Sequence, residues 1–275
     1  KYSNKIIKTN GIGMKYFVEA ANKEKEKVSW FFPIVLTINT LLAHILGVSV
    51  GREGVAVQLG GAIGKNMTTN DLSDRQKKYF VRLGMISGFA ALFQTPLAAI
   101  FFILEIIGRK IKITSSIIYE YLSYVLAAFI AARLSHFLGL EKFFVEVSFN
   151  SYDINVINIL KVAIISIILI FIGILFVITQ KRIKIAVSVY RYLSWIVLLV
   201  FIVMSYVLNF RYASLGTNLI DFSFNNYENI RVHDFILKLL FTALCTAVGF
   251  SGGEVTPLFA IGASCGVILG IWLGL

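Results

Sequence analysis

The sequence has little proline, cysteine or charge, and these shortages narrow the kind of protein it can be. Its 275 residues include three prolines and two cysteines, and 15% of them are charged, against about 25% in a typical soluble domain. The cysteines, Cys245 and Cys265, both lie in apolar stretches and are too few for a framework of disulfides. The composition therefore excludes an ordinary soluble domain.

Motifs of metal, phosphate and nucleophile chemistry are also missing. The three histidines, His44, His136 and His233, are scattered, and no His-Glu-x-x-His or Cys-x-x-Cys spacing occurs. No paired nucleophile or phosphate loop accompanies the acidic residues. We predict no metal site, no cofactor and no enzymatic activity.

Apolar residues are what the sequence has in quantity. They make up 57% of the chain, and the mean hydropathy is +0.80. Apolar runs of about 20 residues can cross a hydrocarbon core about 30 Å thick as helices, whereas a barrel needs shorter, alternating segments. The predicted fold class is an all-α polytopic membrane protein, multi-pass in the cell (plasma) membrane.

The charges that are present are mostly basic, with a formal net charge of +11. A basic protein can bind nucleic acid, but these lysines and arginines cluster beside apolar spans, as in cytoplasmic loops and contacts with anionic lipid. We predict membrane lipid as a partner and no nucleic acid. The positive-inside rule then places residues 139–153 outside and residues 181–191 in the cytoplasm.

Apolar runs, glycines and prolines divide the chain into segments. Pro96 is predicted to break the apolar stretch 79–107 into two helices. Residues 54–67 are predicted to form a half-length helix of about 21 Å, too short to span a membrane. Residues 210–231 are predicted to be an irregular outer segment. Membrane crossings are predicted at residues 28–48, 113–138, 154–180 and 186–209, with a further helix at 232–248.

Two glycine-rich breaks each carry a glutamate at the start of an apolar helix. They are Gly51-Arg52-Glu53-Gly54 and Gly252-Gly253-Glu254-Val255. Their similarity indicates two related halves, about 1–138 and about 154–275, within a single transmembrane domain, 1–275. Glycines every four residues in both helices predict close contact with a neighbouring helix. They are Gly60 and Gly64 in the first helix, and Gly262, Gly266, Gly270 and Gly274 in the second.

Broken helices in corresponding halves point to the ion site of a transporter, because non-helical backbone inside a membrane is tolerated around a cavity. A helix N-terminus offers unpaired N–H groups and about half a positive charge, so two of them favour an anion. A charge at the bilayer centre costs roughly 2.5–3.5 kcal/mol and usually marks an ion path or proton relay. Ionised Glu53 can occupy the anion's place, and protonated Glu53 can swing away, so one group couples two ions.

The order of these motifs resembles the CLC superfamily of anion channels and proton-coupled antiporters. The motifs are the run Gly51 to Gly60, Phe93-Gln94-Thr95-Pro96-Leu97-Ala98, and Gly252-Gly253-Glu254-Val255-Thr256-Pro257. The chain is most similar to the bacterial fluoride/proton antiporter branch, for which Gly-Arg-Glu-Gly-Val and Gly-Gly-Glu-Val-Thr-Pro are characteristic. The resemblance implies a CLC-like inverted repeat with broken, re-entrant helices, a homodimer, and a partial family domain between Lys1 and Leu275. It also implies that residues 65–78 lie outside and residues 109–112 inside.

By this resemblance Glu53 is the gating and proton-coupling residue. The turn 10–14 matches the first anion-binding loop, Val255 takes the place of a pore phenylalanine, and Thr256 is expected to select fluoride. Arg52 has a second interpretation, in which it neutralises Glu53 or extends toward an aqueous vestibule. The predicted anion-binding residues are Gly13, Met14, Gly51, Arg52, Gly54, Val55, Gly253, Glu254, Val255 and Thr256.

Ile106 stands where the chloride/proton exchangers of the family carry an inner proton-transfer glutamate. This substitution fits the fluoride branch and also fits a passive channel. The leading prediction is a proton-coupled antiporter that exports fluoride, with fluoride and protons as the transported ions. The alternatives are a chloride/proton exchanger or passive anion channel of the same fold, an intramembrane enzyme that uses Glu53 as a general base, and a structural or receptor protein.

Overall fold

The computed structural model describes residues 13–23, 28–108, 115–140, 155–190 and 192–275, and its regular elements are helices. A helix satisfies the N–H and C=O groups of its own segment, which a hydrocarbon layer requires. The helices are α1 (Met14–Ala20), α2 (Phe31–Ile45), α3 (Glu53–Asn66), α4 (Asp74–Phe93), α5 (Pro96–Ile107), α6 (Ser115–Phe137), α7 (Val156–Val189), α8 (Leu193–Val207), α9 (Thr217–Asn225), α10 (Asp234–Val248) and α11 (Val255–Leu273), with a 3-10 turn (Tyr227–Asn229) after α9.

Local signals set the bounds of α4 and α5. The Ser73 side chain accepts a hydrogen bond from the Gln76 N–H, and the Gln76 side chain accepts one from the Ser73 N–H, forming a capping box that begins α4. Gln94 ends α4 in the left-handed conformation, with φ of 52°. Pro96 is the first residue of α5, where its missing N–H is least costly. The predicted break is confirmed, and so is the half-length helix, which is α3.

Three helices in the described ranges are long and apolar enough to cross a membrane, by length and composition. They contain Ile117–Phe137, Val156–Val189 and Val255–Leu273. The crossings predicted at 28–48 and 186–209 are instead helices of 15 residues each, α2 and α8, about 22 Å long. The short helices still carry exposed apolar side chains, as lipid-facing surfaces do.

Most of the segment predicted to lie in the cytoplasm, residues 181–191, is helical, and its side of the membrane stays a prediction. α7 continues for 34 residues and includes Lys181, Arg182 and Lys184. Lysine and arginine are good helix formers, so a basic cluster marks the exit from the hydrocarbon layer and not the end of the helix. Most of the predicted outer loop, residues 141–153, lies outside the described residues.

The prediction of an irregular segment at residues 210–231 is wrong for about half of those residues, which are helical. Residues 208–216 do form turns, but Gly216, with φ of 78°, leads into α9 and then the 3-10 turn. α10 follows at Asp234, close to the predicted start of the helix at residue 232.

The chain divides into two compact units. The first comprises Lys1–Asn39 and Glu53–Phe143, and the second comprises Thr40–Arg52 and Phe144–Leu275. α2 passes from the first unit to the second, and the chain returns at the peptide bond between Arg52 and Glu53. The two predicted halves, about 1–138 and about 154–275, stay a prediction.

In the first unit, α3 and α4 pack antiparallel through glycines. A Cβ atom built on Gly60 would lie 2.0 Å from the carbonyl oxygen of Gly84, and one built on Gly64 would lie 2.2 Å from that of Phe80. Only glycine allows such an approach of two backbones. The helix contact predicted from the first glycine stripe is therefore confirmed.

The starts of α4 and α6 and the end of α5 lie at one end of the first unit. Arg82 donates to the Ala21 carbonyl at 2.8 Å and to the Glu120 carboxylate at 2.8 Å. Asn22, next to Ala21, donates to the Ile106 carbonyl at 2.9 Å. α5 therefore returns toward the start of α4, because the Pro96 break reverses the chain.

The end of α5 and the start of α6 both lie beside the residues around Arg82. Gly64, near the end of α3, packs against Phe80 of the helix that carries Arg82. Residues 109–112, between α5 and α6, lie outside the described residues. The predicted placement of residues 65–78 outside and residues 109–112 inside stays a prediction.

In the second unit, α10 packs on α7 and α11. Phe201, Tyr212 and Phe241 pack together in one hydrophobic cluster, and a second hydrophobic cluster contains Phe176, Leu239 and Ile261. Within the described residues, Gly262 and Gly266 of the second glycine stripe make no close helix contact, so the contact predicted from this stripe stays a prediction. A Cβ built on Gly262 or Gly266 would meet no atom there within 4 Å.

Candidate functional site

The two glycine-rich breaks meet in the second unit through a pair of backbone hydrogen bonds. The Gly51 N–H donates to the Gly253 carbonyl, and the Gly253 N–H donates to the Gly51 carbonyl, both at 2.6 Å. We call this pair the Gly51–Gly253 bridge. It joins segments about 200 residues apart, each ending at a glutamate-bearing helix start.

Small residues are required at the bridge. A Cβ atom built on Gly252 would lie 2.4 Å from the Cβ of Val50 and 2.9 Å from the Gly51 carbonyl oxygen. Val50 and Gly51 are both buried. The glycines that the sequence marked as breaks thus allow the close pairing of two non-helical strands of backbone.

Glu53 is the first residue of α3 and follows the bridge by two residues. Its side chain is 3% exposed, and the neighbouring Val55 is also buried. Gly54 is half-buried, and its carbonyl accepts a hydrogen bond from Gln58 at 2.9 Å. Arg52, between the bridge and Glu53, is exposed.

Glu254 precedes α11 and has a different environment. It is half-buried and is the N-cap of α11, but its side chain makes no capping hydrogen bond. The Gln180 side chain of α7 donates to Glu254 Oε1 and also to Thr246 Oγ1 at 3.0 Å. The Glu254 carboxylate is therefore bound by a side chain of α7 and does not cap α11.

Val255 and Thr256 form the first turn of α11. Val255 is exposed, Thr256 is half-buried, and Pro257 after them is buried. Gly13 and Met14 begin α1 in the first unit, where Gly13 is extended and Met14 packs on the apolar core. The rest of the predicted turn, residues 10–12, lies outside the described residues.

Gln180 is a site residue that sequence reasoning missed. Its signal was present, since a polar side chain at the end of a long apolar run usually faces a partner or a cavity. Its partner is 74 residues away along the chain, so the pairing with Glu254 was not visible in the sequence.

A sequence model of one protein family, described as voltage gated chloride channel, matches residues 2–275. The chain belongs to the voltage gated chloride channel family. The predicted CLC membership and the predicted fold are therefore confirmed.

Curated relatives in this family are bacterial. A chloride/fluoride channel protein of Pseudomonas syringae pv. tomato (strain ATCC BAA-871 / DC3000) is 32% identical over 251 residues, which is 85% of this chain and 53% of that protein. The H(+)/Cl(-) exchange transporter ClcA of Vibrio campbellii (strain ATCC BAA-1116) is 41% identical over 61 residues, 22% of this chain and 13% of that protein. The chain spans about half the length of the first of these relatives.

Solved structures in the family resemble the fold closely. The crystal structure of a CLC-type fluoride/proton antiporter has a TM-score of 0.83 and 37% sequence identity, over 96% of this chain and 66% of that chain. The structure of a slow cyanobacterial Cl-/H+ antiporter has a TM-score of 0.65 and 20% identity, over 91% of this chain and 60% of that chain. The second likeness bears on the fold alone.

Proposed function

We propose that this protein is a proton-coupled fluoride antiporter that exports fluoride across the bacterial cell membrane. The observation that carries the proposal is the Gly51–Gly253 bridge, which ties the two glutamate-bearing helix starts to one point of the backbone. The likeness to the CLC-type fluoride/proton antiporter supports fluoride and protons as the transported ions. The transported ions act as substrates, and no cofactor, metal or enzymatic step enters the mechanism.

The anion binds to backbone N–H groups beside the bridge. The first N–H groups of α11 have no intrahelical acceptor and lie at the positive end of the helix dipole, so they attract an anion without a lysine or arginine as ligand. Gly51 and Gly253 supply backbone that an anion can approach closely. Gly54 and Val55 supply the corresponding N–H groups of α3.

Glu53 couples the anion to the proton. As a carboxylate it is itself an anion and competes for the N–H groups near the bridge. When a proton is taken up, the neutral side chain loses that attraction and leaves the place to fluoride. Protonation of Glu53 therefore frees the anion site for fluoride. Proton uptake and fluoride export are coupled in this way, and the two ions move in opposite directions.

Selectivity is proposed to come from the first turn of α11. Fluoride is the smallest halide and forms the strongest hydrogen bonds, so the Thr256 hydroxyl favours it over chloride. Val255 leaves more room at the pore than the phenylalanine of chloride members, and Glu254 sets the local potential.

Chloride/proton exchange is the second candidate function. A specific observation favours it, namely the 41% identity over 61 residues to the H(+)/Cl(-) exchange transporter. Ile106 argues against it, because an isoleucine cannot carry the proton that an inner glutamate would carry. A passive channel is the third outcome, and it would conduct the anion without proton movement.

The test uses the complete protein in liposomes loaded with fluoride or with chloride. Fluoride efflux and proton uptake are recorded together with a fluoride electrode and a pH electrode. The proposal predicts fluoride efflux accompanied by proton uptake, both lost in Glu53→Gln. Efflux without proton uptake would indicate a channel, and faster chloride exchange would support the second candidate. Chemical crosslinking of the same preparation tests the proposed homodimer.

A further inference from the structure

Lys238 of α10 is a fully buried cation next to the segment that leads to the bridge. Its side chain is 0% exposed. Its Nζ atom donates to Ser49 Oγ at 2.9 Å, to the Tyr212 carbonyl at 3.0 Å and to the Ser214 carbonyl at 2.7 Å. Within the described part of the chain, no carboxylate lies within 4 Å of this nitrogen.

The hydrogen bonds around Lys238 fit an ammonium ion. The Thr242 hydroxyl donates to the Lys238 carbonyl at 2.8 Å, so the Ser49 hydroxyl, 2.9 Å from it, donates to Thr242. The Ser49 oxygen must then accept from Lys238. Three acceptors match the three N–H bonds of an ammonium, whereas a neutral amine would leave one acceptor unserved.

The protein is built closely around this side chain. Gly216 has φ of 78°, and a Cβ atom there would lie 2.6 Å from Lys238 Cε and 2.9 Å from the Ala260 Cβ of α11. Glycine at this position therefore meets two needs, the backbone conformation and the space for the lysine. If position 238 served packing alone, a methionine or leucine would fill it without the desolvation penalty that a charged lysine carries.

The other charges near Lys238 compensate one another. Asp234, one helical turn earlier on α10, accepts from Arg211 at 2.6 Å and from the Tyr212 hydroxyl at 2.7 Å. Burial raises the pKa of the Asp234 carboxyl, but the hydrogen bonds from Arg211, the Arg231 N–H and Tyr212 outweigh burial and hold it below its ordinary value. Asp234 and Arg211 therefore compensate each other, and Lys238 is the basic group of the cluster that has no carboxylate partner among the described residues.

This charge lies close to the bridge in the second unit. Ser49 precedes Gly51 by two residues, which span at most about 7 Å, so the ammonium lies within about 12 Å of the bridge. We propose that Lys238 is a positioning residue that raises the affinity of the bridge site for its anion through a fixed positive potential. The inference rests on the proposed function, because it presumes that an anion binds beside Gly51 and Gly253.

The expected effect follows from Coulomb's law. A unit charge about 12 Å away, at an effective dielectric constant of about 20, changes anion affinity about tenfold. The charge acts on binding and makes no contact with the transported ion. We therefore expect a change in KM and Kd with little change in kcat.

The test compares variants of the complete protein for fluoride binding by titration calorimetry and for fluoride efflux as a function of fluoride concentration. Lys238→Gln keeps N–H donors and removes the charge, and it is expected to raise Kd and KM about tenfold. Lys238→Arg keeps the charge and is expected to remain within about threefold of wild type. Ser49→Ala removes one of the three acceptors and leaves the residue at position 238 unchanged, so it shows whether the protein folds when the hydrogen bonds around Lys238 are weakened.

Equal affinities of Lys238→Gln and wild type would overturn the inference. If Lys238→Gln does not fold, Lys238→Met takes its place in the comparison. If neither neutral variant folds while Ser49→Ala does, the ammonium serves the fold, and the inference is overturned. Failure of the proposed function can be told apart from failure of this inference, because wild type itself would then show no fluoride exchange. A loss of chloride affinity in Lys238→Gln would support Lys238 even if chloride is the anion.

Discussion

The helices α3 and α11 begin with similar sequences, but their glutamates have different environments. Each follows a glycine-rich break, and the two breaks pair at the bridge. Glu53 is inside α3 as its first residue and is buried, whereas Glu254 stands before α11 and is held by Gln180 of α7. The same short motif thus gives one carboxylate at a helix start and one carboxylate turned toward a neighbouring helix.

Their glycine stripes differ in the same way. Gly60 and Gly64 of α3 press against the backbone of α4, whereas Gly262 and Gly266 of α11 have open space in the described residues. The difference lies in the partner, because α4 carries Gly84 facing Gly60. A stripe of glycines predicts a contact when a second stripe faces it.

The largest expected effect separates the two glutamates. In the proposed mechanism, Glu53→Gln removes the carboxylate that competes with the anion, so coupled fluoride and proton movement should fall to background. Glu254→Gln keeps a hydrogen-bonding group beside Gln180 and should retain coupling, with altered anion affinity. Parallel fluoride and proton recordings measure both variants. Equal loss of coupling in both would remove the functional distinction between them.

The next effect concerns the glycine stripes. Gly60→Ala places a methyl group 2.0 Å from a backbone oxygen that cannot move aside, and it should destabilise the protein by about 3 kcal/mol or more. Gly262→Ala is the matched control, and it should be neutral or gain up to about 1 kcal/mol of helix propensity. Thermal unfolding in detergent measures the difference. A large loss in Gly262→Ala would show that the second stripe is also covered in the complete protein.

A smaller loss is expected at the bridge. Gly252→Ala places its methyl group 2.4 Å from the Val50 Cβ and 2.9 Å from the Gly51 carbonyl oxygen, so a loss of about 1–3 kcal/mol is expected. The double variant Gly252→Ala with Val50→Gly removes the Cβ atom that clashes and should recover part of this loss. Unfolding temperatures of the single and double variants give the interaction free energy between positions 50 and 252. The absence of recovery would mean that the contact with the Gly51 carbonyl dominates.

The smallest effect tests the hold on Glu254. Gln180→Leu removes the donor to Glu254 and Thr246 and should change anion affinity a few-fold, about 1 kcal/mol, without loss of coupling. Thr246→Val removes the other acceptor of Gln180 and serves as the control. Fluoride titrations of the two variants make the comparison. Loss of proton coupling in Gln180→Leu would move Glu254 into the proton pathway.

The sequence predicted the features that depend on local chemistry. Glycine and proline act on their own backbone, so the break at Pro96 and the starts of α3 and α11 were found. The continuation of α7 through residues 181–189 was not predicted, because a cluster of basic residues is compatible with both a loop and a helix. Contacts such as Lys238 with Ser49, or Gln180 with Glu254, join distant residues and depend on a packing that no local pattern contains.

The central claim is that fluoride and protons are exchanged by one mechanism, and an uphill measurement tests it most directly. The complete protein is placed in liposomes with a fluoride gradient, no pH gradient, and the membrane voltage held at zero by potassium and valinomycin. An antiporter will use the outward fluoride gradient to move protons inward and build a pH gradient, and Glu53→Gln will not. Dissipation of the fluoride gradient by wild type with no pH change would contradict the account.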